Sequence, residues 1–583
     1  MNALLVLLAV TAAAPTARPN VVVVLADDQG WGDLSVNGNT NLHTPNIDSL
    51  ARDGARFDRF FVQPVCSPTR AELLTGRYHP RGGVRHVTSG GERLDLDEKT
   101  LADAFRAAGY ATGCFGKWHN GTQFPYHPNG RGFDEYYGFT SGHWGEYYDP
   151  PLDHNGKTVR GNGYLPDDIT SRAIRFVEAS RKKGRPFFCY LAYNVPHSPM
   201  QVPDRHWRKF ESLELKLLGP GPMKEDQAHT RAALAMCEGM DGNVGRLLKA
   251  LDEQKLASDT IVVYFSDNGP NGPRWNGGMK GIKGSTDEGG VRSPLFVRWP
   301  GHIGKGLEMT PIAGAIDLYP TLAGLCGVRS AAGGQPFDGA DLSPLLLGKV
   351  SRPPDRILFQ HWNGRVSARS QRHRLDGVGR LYDMLADPGQ TRDVSAADPA
   401  VKVRLTDAVA RWRKDVLSEL PEVDDRPFPI GHAAQPTATL PARDGVPRGG
   451  VKRSAGAPNC SFFTSWRTTE GAMTWNVEVA TAGRYEAVVH YTCPAGDVGS
   501  SVELTLNKVK WAGQVEVAHD PPLRGREHDR VPRQGESYVK DFRPLSLGVV
   551  ELPRGRGTLT LKAAKVPGKQ VAEVRSVVLR YLP

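Results

Sequence analysis

Two pairs of oxygen-bearing side chains follow apolar stretches of the chain. Asp27 and Asp28 end the run NVVVVLADDQG, and Asp267 and Asn268 end DTIVVYFSDNGP. Adjacent carboxylates repel each other unless a cation or a hydrogen-bond donor lies between them. The first pair alone would be expected to be solvated loop acids. Because carboxylate and amide oxygens are the ligands that Ca²⁺ and Mg²⁺ prefer, a second pair at another strand end favours a divalent-cation site.

A lone cysteine begins a predicted helix. Cys66 lies two residues before Pro68, which suits the first turn of a helix, and four residues before Arg70. Isolated cysteines are usually small, buried, apolar residues. Here the side chain would lie among the free N–H groups of a helix N-terminus, with the fixed positive charge of Arg70 within reach. The stretch therefore predicts a place where an anion binds.

The elements that must position these residues alternate along the chain. Apolar strands such as 20–25, 185–193 and 259–265 are separated by stretches with helical periodicity. This order predicts an α/β fold with a mainly parallel sheet flanked by helices. Ligands of open α/β sheets bind at the carboxyl ends of the strands, so residues that follow different strands are expected to converge there. The residues in such positions are Asp27, Asp28, His197, Asp267 and Asn268.

The stretch CSPTRAELLTGR (66–77) resembles the signature of the type I, formylglycine-dependent sulfatases, C-x-P-x-R followed by L-x-T-G-R. These arylsulfatase-like proteins belong to the alkaline phosphatase superfamily. Asn120 is a departure, since leucine is common at that position. The resemblance covers about residues 19–400 and does not reach the C-terminal region. Other segments similar to motifs of the family, in the same order, are ADDQGWGD (26–33), GKWHNG (116–121), YNVPHSP (193–199), SDNGP (266–270) and KGSTDEGGVRSPLFVRWPG (283–301).

The resemblance implies an alkaline-phosphatase-like fold and an unusual use of Cys66. In this family a formylglycine-generating (sulfatase-maturing) enzyme oxidises the matching cysteine to Cα-formylglycine. The hydrate of that aldehyde attacks the sulfur of a sulfate ester and later expels the sulfate. One Ca²⁺ ion is usually bound. The matching metal ligands in this chain are Asp27, Asp28, Asp267 and Asn268, together with residue 66.

Five further residues match catalytic positions of the family. Arg70 and Lys117 would steady the modified residue, and His119 would take up a proton when sulfate is expelled. His197 and Lys283 would hold the sulfate and help to protonate the leaving oxygen. Considered singly, His119 would be expected to be a partly buried structural histidine, and His197 a residue of a proline-flanked turn.

Four further residues lie near the predicted site, and the sequence supports a role for only one of them. Lys280 and Lys283 both precede the EGG segment, and the spacing of Lys283 to Glu288 fits the family better. Lys280 is expected to be a solvated charge. Ser141 and His143, in GFTSGHW, could line the pocket and receive no role.

Length and composition allow a large core and more than one domain. The chain has 583 residues, of which 39% are hydrophobic and 23% charged. Residues 1–18 contain an apolar run followed by small residues, which predicts a signal peptide and a secreted or periplasmic protein. An apolar first strand is the alternative for this segment. No later segment is long enough to span a membrane.

The seven cysteines are sparse and include no CxxC pair. Neither a zinc site nor a disulfide scaffold is therefore indicated. Export would permit bridges, and Cys460 with Cys493 is one candidate pair.

The pattern divides the chain into four predicted parts after the signal segment. Residues 19–349 form the catalytic α/β domain, and 350–420 a small α+β subdomain. Residues 421–450 are rich in Pro, Gly and Ala without periodicity, which is typical of a linker. From 451 to 583, short segments with alternating apolar residues predict a β-sandwich.

The basic charge of the chain is concentrated in its last part. The net charge is +10, and residues 446–583 hold 20 Lys and Arg against 13 Asp and Glu. A basic surface favours polyanions, and export makes sulfated glycans a better fit than nucleic acid. We predict that the sandwich tethers the enzyme to a sulfated carbohydrate. A stabilising accessory domain is the alternative.

The leading hypothesis is a sulfatase that acts on a sulfated carbohydrate or an aryl sulfate. A phosphonate or phosphate ester hydrolase of the same superfamily would share the fold and some of the chemistry. A non-catalytic protein that binds sulfated glycans is disfavoured by the intact set of ligands and histidines. A cysteine hydrolase with Cys66 and a histidine would need a thiolate.

Overall fold

The computed structural model describes residues 18–219 and 223–583. The predicted signal segment, 1–18, lies outside the described residues except for Arg18. Within the described ranges, no helix combines the length and the apolar character that crossing a membrane requires.

The strand at the centre of the fold is apolar on both faces. Strand β1 (Asn20–Ala26) is buried along its whole length. Val22 and Val24 pack into one core, and Val21 and Val23 into another, because successive side chains of a strand point to opposite faces. A strand buried on both faces is typical of a parallel sheet covered by helices.

The largest sheet of the described residues, called the main sheet below, has the order β10, β2, β9, β8, β1, β7, β3, β4, β5, β6, with β11 beside β2. The five strands from β8 to β4 are mutually parallel, whereas β9 is antiparallel to both of its neighbours and β4–β5–β6 is antiparallel. This arrangement confirms the predicted α/β class. The strands of this sheet are β1 (Asn20–Ala26), β2 (Ala55–Phe61), β3 (Ala111–Lys117), β4 (Glu135–Phe139), β5 (Pro151–His154), β6 (Lys157–Arg160), β7 (Phe187–Ala192), β8 (Thr260–Ser266), β9 (Arg292–Arg298), β10 (Leu307–Met309) and β11 (Ala313–Gly314).

Helices cover both faces of this sheet. One face packs against α1, α4, α5 and α6, and the other against α2, α3, α8 and α9. The α-helices of the described residues are α1 (Pro45–Arg52), α2 (Cys66–Thr75), α3 (Leu101–Ala107), α4 (Leu165–Lys182), α5 (Asp204–Trp207), α6 (Gln227–Glu253), α7 (Glu288–Val291), α8 (Leu318–Cys326), α9 (Ser343–Leu346) and α10 (Pro399–Val416).

A small antiparallel sheet follows the main sheet in the chain. Its strand order is β12, β13, β14, β15, and α10 packs against it through Leu405 and Trp412. Its strands are β12 (Leu358–Trp362), β13 (Arg365–Arg369), β14 (His373–Leu375) and β15 (Leu381–Asp383).

Two further sheets enclose one core and form the predicted C-terminal β-sandwich. One has the order β16, β21, β26, β23, β24, with β18 beside β21. The other has the order β19, β20, β27, β22, β25, with β17 beside β27. The strands are β16 (Phe428–Ile430), β17 (Thr437–Pro441), β18 (Val446–Arg448), β19 (Lys452–Arg453), β20 (Phe463–Thr464), β21 (Ala472–Val479), β22 (Gly483–Thr492), β23 (Ser501–Leu506), β24 (Val509–Gln514), β25 (Arg543–Leu552), β26 (Gly555–Lys565) and β27 (Glu573–Leu582).

The segment 421–450, whose composition predicts a linker, contains three strands of this sandwich. β16 and β18 pair with β21, and β17 pairs with β27. Each has three to five residues and contains a proline. Proline lacks an N–H group and is restricted to sheet edges, so these short edge strands show no alternating pattern in the sequence.

All seven cysteines are free, so the candidate bridge between Cys460 and Cys493 is not formed. The Cys460 thiol donates to the carbonyl of His143 at 3.2 Å. Cys493 donates instead to the carbonyl of Pro494 at 3.5 Å. The two sulfur atoms thus have different partners, and a disulfide requires them to face each other.

Candidate active site

The two oxygen-bearing pairs meet because their strands are parallel neighbours. β1 pairs with β8 in a register that sets Ala26 opposite Ser266, so the residues that follow both strands emerge side by side. The Asn268 amide donates to Asp28 Oδ1 at 2.8 Å, and the Asp28 backbone N–H donates to Asp267 Oδ1 at 3.2 Å. The predicted convergence at the carboxyl edge of the sheet is present in the structure.

Asp28 has an uncommon backbone conformation. Its φ angle is 65°, in the left-handed region that non-glycine residues seldom occupy. Such strain persists where the surrounding contacts fix it, and it clusters at functional sites. Here the bonds to Asp267 and Asn268 fix it, and the carboxylate is directed into the buried space at the strand ends.

Cys66 is the first residue of α2 and lies against the same carboxylates. Its side chain is 2% exposed, and its sulfur is 4.0 Å from Asp28 Oδ1. The helix is anchored there because the Thr69 hydroxyl donates to the carbonyl of Asp267 at 2.6 Å. Asp27, Asp28, Cys66 and His197 each offer one atom, and these atoms lie within 4.8 Å of one another.

Two buried cations, Arg70 and Lys117, and the partly exposed Lys283 compensate the carboxylates. Arg70 donates through Nε and Nη2 to Asp267 Oδ2 at 3.1 and 2.7 Å. Lys117 Nζ lies 2.7 Å from Asp27 Oδ2, and Lys283 Nζ lies 2.6 Å from Asp28 Oδ1. Every carboxylate at the strand ends therefore has its own cation.

These contacts shift the pKa values of the two central acids in opposite directions. Burial alone would raise the pKa of Asp28, but Lys283, His197 and Lys117 outweigh it and hold that pKa below its usual value. Burial and the neighbouring charge of Asp27 raise the pKa of Asp267 to about 6, although Arg70 opposes this. Repulsion among the carboxylates is thus only partly relieved by the protein's own cations.

The unpaired oxygen atoms fit a further cation. Asp27 Oδ1 and Asn268 Oδ1 are buried and have no hydrogen-bond partner among the described residues. A buried polar atom without a partner is costly. Carboxylate and amide oxygens are hard ligands suited to Ca²⁺ or Mg²⁺, so the donor set fits a divalent ion.

The thiol of Cys66 is unsuited to act as a thiolate nucleophile. Burial raises its pKa well above the ordinary value, and Lys117 and Lys283 only partly offset this effect. Reactive cysteines have lowered pKa values. The geometry therefore disfavours the cysteine-hydrolase hypothesis.

Comparison with known proteins identifies the family. The family model described as Sulfatase matches residues 19–328. The chain belongs to the sulfatase family. It is 33% identical to arylsulfatase G of Rattus norvegicus over 421 residues, which cover 63% of this chain and 76% of that protein. It is 34% identical to arylsulfatase A of Homo sapiens over 390 residues, which cover 60% of this chain and 73% of that protein.

Solved structures agree with this assignment. The crystal structure of Ps i-CgsB in complex with k-i-k-neocarrahexaose superposes with a TM-score of 0.63 at 31% sequence identity. The superposition covers 70% of this chain and 95% of that one. The predicted family, the α/β fold and the enzyme class are confirmed, and the protein is a sulfuric ester hydrolase.

In this sulfatase His119 is held as a neutral proton acceptor. Its Nε2 lies 2.8 Å from the carbonyl of Val87, to which it must donate, and its buried Nδ1 has no partner in the described residues. Burial and the charge of Lys117 lower its pKa well below the usual value. Nδ1 therefore carries a free lone pair. The φ angle of His119 is 67°, in the left-handed region that non-glycine residues seldom occupy.

Lys280 and Lys283 have different surroundings. The Lys283 side chain is 20% exposed and contacts Asp28, whereas Lys280 is 42% exposed and lies 3.6 Å from Asp287. Burial lowers the pKa of Lys283, but Asp28 more than offsets this, and the net shift is upward. Only Lys283 is brought to the strand ends.

Sequence reasoning gave no role to two groups that the fold brings to His197. The His143 ring centroid is 5.4 Å from that of His197. Glu536, from the loop between β24 and β25, accepts a hydrogen bond from Ser198 and lies 3.7 Å from His143. A motif carries His143, but no local signal could connect Glu536 with a loop 338 residues earlier.

Proposed function

We propose that this sulfatase hydrolyses sulfate esters of a sulfated carbohydrate, with Cys66 converted to Cα-formylglycine and with one bound Ca²⁺. The observation that carries the proposal is the buried position of Cys66 at the start of α2, against Asp28 and beside the unpaired oxygens of Asp27 and Asn268. When present, the aldehyde hydrate supplies a nucleophile and the ion a Lewis acid.

The residues around position 66 would divide the remaining tasks. Asp27, Asp28 and Asn268 would hold the ion. Asp267 would be the fourth ligand, and its Oδ2 also accepts a hydrogen bond from Arg70. Lys117 and Arg70 fix the carboxylates and place positive charge where the sulfate binds.

Two histidines and one lysine would move protons and hold the ester. His119 accepts a proton at its free Nδ1 when sulfate leaves, and its lowered pKa keeps it neutral and ready to do so. His197 Nε2 lies 3.6 Å from Asp28, and Lys283 contacts the same carboxylate. Both therefore face the reacting ester and stabilise negative charge on its oxygens.

A carbohydrate is the favoured substrate class for two reasons. The neighbouring solved structure is named as a complex with a neocarrahexaose. The C-terminal part of this chain is basic, with 20 Lys and Arg against 13 Asp and Glu in residues 446–583. Sulfate groups on a polymer would be attracted to such a surface.

We also propose export to the periplasm or the medium and conversion of Cys66 by a maturing enzyme.

The test combines mass and activity. The mass of the peptide that contains Cys66 should be that of the aldehyde, and the protein should hydrolyse 4-nitrophenyl sulfate faster than 4-nitrophenyl phosphate. Cys66→Ala should abolish activity, whereas Cys326→Ala, which removes a buried thiol in α8, should keep it. An unmodified thiol in fully active protein would contradict the formylglycine, and a preference for the phosphate ester would contradict the sulfatase substrate.

A further inference from the structure

The C-terminal sandwich is fixed to the rim of the active site. Arg533 donates to the carbonyl of Gly145 at 2.8 Å, and Gln201 donates to Asp529 Oδ1 at 2.7 Å. Arg524, from the same loop between β24 and β25, lies 3.2 Å from Glu146. These groups are half-buried or buried, so the loop is part of the wall of the site rather than a separate tethered module.

A cleft of about 720 Å³ runs between the two domains. One wall comes from β4, β5, β6 and the 140–149 loop, and the other from β17, β22, β27 and the loop before β25. The volume falls within the range of small-molecule binding sites. Its lining contains both apolar and polar side chains.

At Ser141 the wall of the cleft adjoins, along the chain, two residues that contact His119 and His197. Ser141 lines the cleft, and the next residue, Gly142, packs so closely on His119 that an added Cβ would lie 2.2 Å from Nε2. His143 follows and contacts His197. The segment 141–143 therefore connects the wall of the cleft to the two histidines of the proposed catalytic centre.

Two cations in this cleft form no ion pair within 4.0 Å among the described residues, unlike their neighbours, although burial raises the pKa of Glu146 and Arg575 is near enough to that carboxyl to oppose the shift. Arg524 is paired with Glu146 and Asp541, and Lys540 is paired with Asp520 and Glu573. Arg160 on β6 and Arg575 on β27 also line the cleft. Among the described residues, no carboxylate forms an ion pair with either of them. One free cation thus comes from each wall.

Two buried hydrogen-bonding groups in the cleft also lack a partner. The Ser141 hydroxyl and the indole N–H of Trp144 are buried and form no hydrogen bond within the described part of the chain. Buried polar groups are normally satisfied by protein, water or ligand. Beside them, Trp144 and Phe542 present aromatic rings that sugar faces can contact.

We propose that this cleft binds the sugar units next to the one that is desulfated, and that Arg160 and Arg575 contact sulfate groups on those units. The ligand class is a sulfated oligosaccharide. The inference rests on the proposed carbohydrate sulfatase activity and extends it, since the appended sandwich itself forms half of the substrate site.

The kinetic test compares two arginines on one strand. The measured quantity is kcat/KM for a κ-carrageenan or chondroitin sulfate hexasaccharide divided by kcat/KM for 4-nitrophenyl sulfate. Arg575→Ala should lower this ratio by about tenfold, mainly because KM for the hexasaccharide rises. Arg580→Ala removes an exposed charge on β27 that does not line the cleft, and should leave the ratio unchanged. Equal effects of both variants, or no effect of Arg575→Ala with either hexasaccharide, would overturn the proposal.

A binding test separates the cleft from the chemistry. The full-length Cys66→Ala protein cannot turn over substrate and can be titrated with the two hexasaccharides and with their desulfated forms. Affinity for a sulfated form should fall about tenfold on adding Arg575→Ala and again on adding Arg160→Ala. If the variants bind in this pattern but the wild-type protein hydrolyses no sulfate ester, the proposed function is wrong and the proposed cleft stands. Binding that ignores both arginines would contradict the cleft alone.

Discussion

Two clusters of buried charge lie outside the C-terminal sandwich, and they are built differently. The strand-end cluster, defined as Asp27, Asp28, Asp267, Arg70, Lys117 and Lys283, balances three carboxylates with three cations. It leaves the oxygens Asp27 Oδ1 and Asn268 Oδ1 without partners among the described residues. The cluster is therefore prepared for additional positive charge.

The Glu288 cluster, defined as Glu288, Arg292, Arg369 and Arg374, has an excess of positive charge, because one carboxylate faces three arginines. Glu288 Oε2 accepts from Arg369 at 2.5 Å and from Arg374 at 3.2 Å, and Arg292 lies 3.7 Å from Oε1. Burial lowers the pKa of Arg369 to about 10, with Glu288 opposing and Arg374 adding to the shift. This cluster joins α7 to the small sheet, because Arg369 and Arg374 belong to β13 and β14.

The difference teaches that burial of charge does not by itself mark an active site. Both clusters have fully buried arginines and carboxylates. Glu288 Oε1 is also buried without a hydrogen-bond partner in the described residues, so one such oxygen does not separate the two clusters. Only the strand-end cluster lies beside two of them, on Asp27 and Asn268, together with a residue of modifiable chemistry, Cys66, at a helix N-terminus. We therefore expect the first cluster to control activity and the second to control stability.

The largest expected effect is on catalysis. Asp28→Asn should lower kcat for 4-nitrophenyl sulfate by at least about 10³-fold, because it removes a proposed metal ligand and the partner of Lys283. The rate is measured on the purified, matured protein. A variant that retains a tenth of the wild-type rate would remove the distinction between the clusters.

Glu288→Gln should act on stability. It leaves Arg369 and Arg374 buried without a counter-charge, and should lower the free energy of unfolding by about 3–5 kcal/mol. Urea denaturation measures this. Glu253→Gln is the control, since its pair with Lys249 is exposed at 3.7 Å and should contribute under about 0.5 kcal/mol. Equal midpoints for both variants would show that the Glu288 cluster is not structural.

Two neighbouring lysines sharpen the comparison within one segment. Lys283→Ala should lower kcat/KM for 4-nitrophenyl sulfate by about 10²-fold, because the ammonium group touches Asp28. Lys280→Ala should change it by less than about twofold, because its pair with Asp287 is exposed. The reverse order would transfer the catalytic assignment to Lys280.

Metal removal should have the smallest effect, which is a change in melting temperature. EDTA should lower the melting temperature of the wild type and of Glu288→Gln by a similar few degrees, because an ion that binds only the folded state stabilises it. Asp28→Asn should respond less. Recovery with Ca²⁺ but not Mg²⁺ would support the proposed ion, and an unchanged melting temperature in all three proteins would argue against a bound metal.

Much of the strand-end cluster was predictable from the sequence because its information is local. Apolar runs buried on both faces define the parallel strands, and the polar residues after β1 and β8 must then emerge together. Cys66 and Pro68 begin a helix for local reasons as well. The strands in 421–450 were not predictable, because short proline-containing edge strands leave no periodic pattern.

The sequence by itself determined the sulfatase family, the α/β class and the residues that surround Cys66, since each depends on a spacing within a short segment or on the period of a strand. Only the tertiary structure decided that Glu536 reaches His143, that Arg160 and Arg575 face one cleft, and that Cys460 and Cys493 stay apart. The first two of these arrangements bring together segments hundreds of residues apart. They depend on how two finished domains pack, and no local pattern encodes that packing.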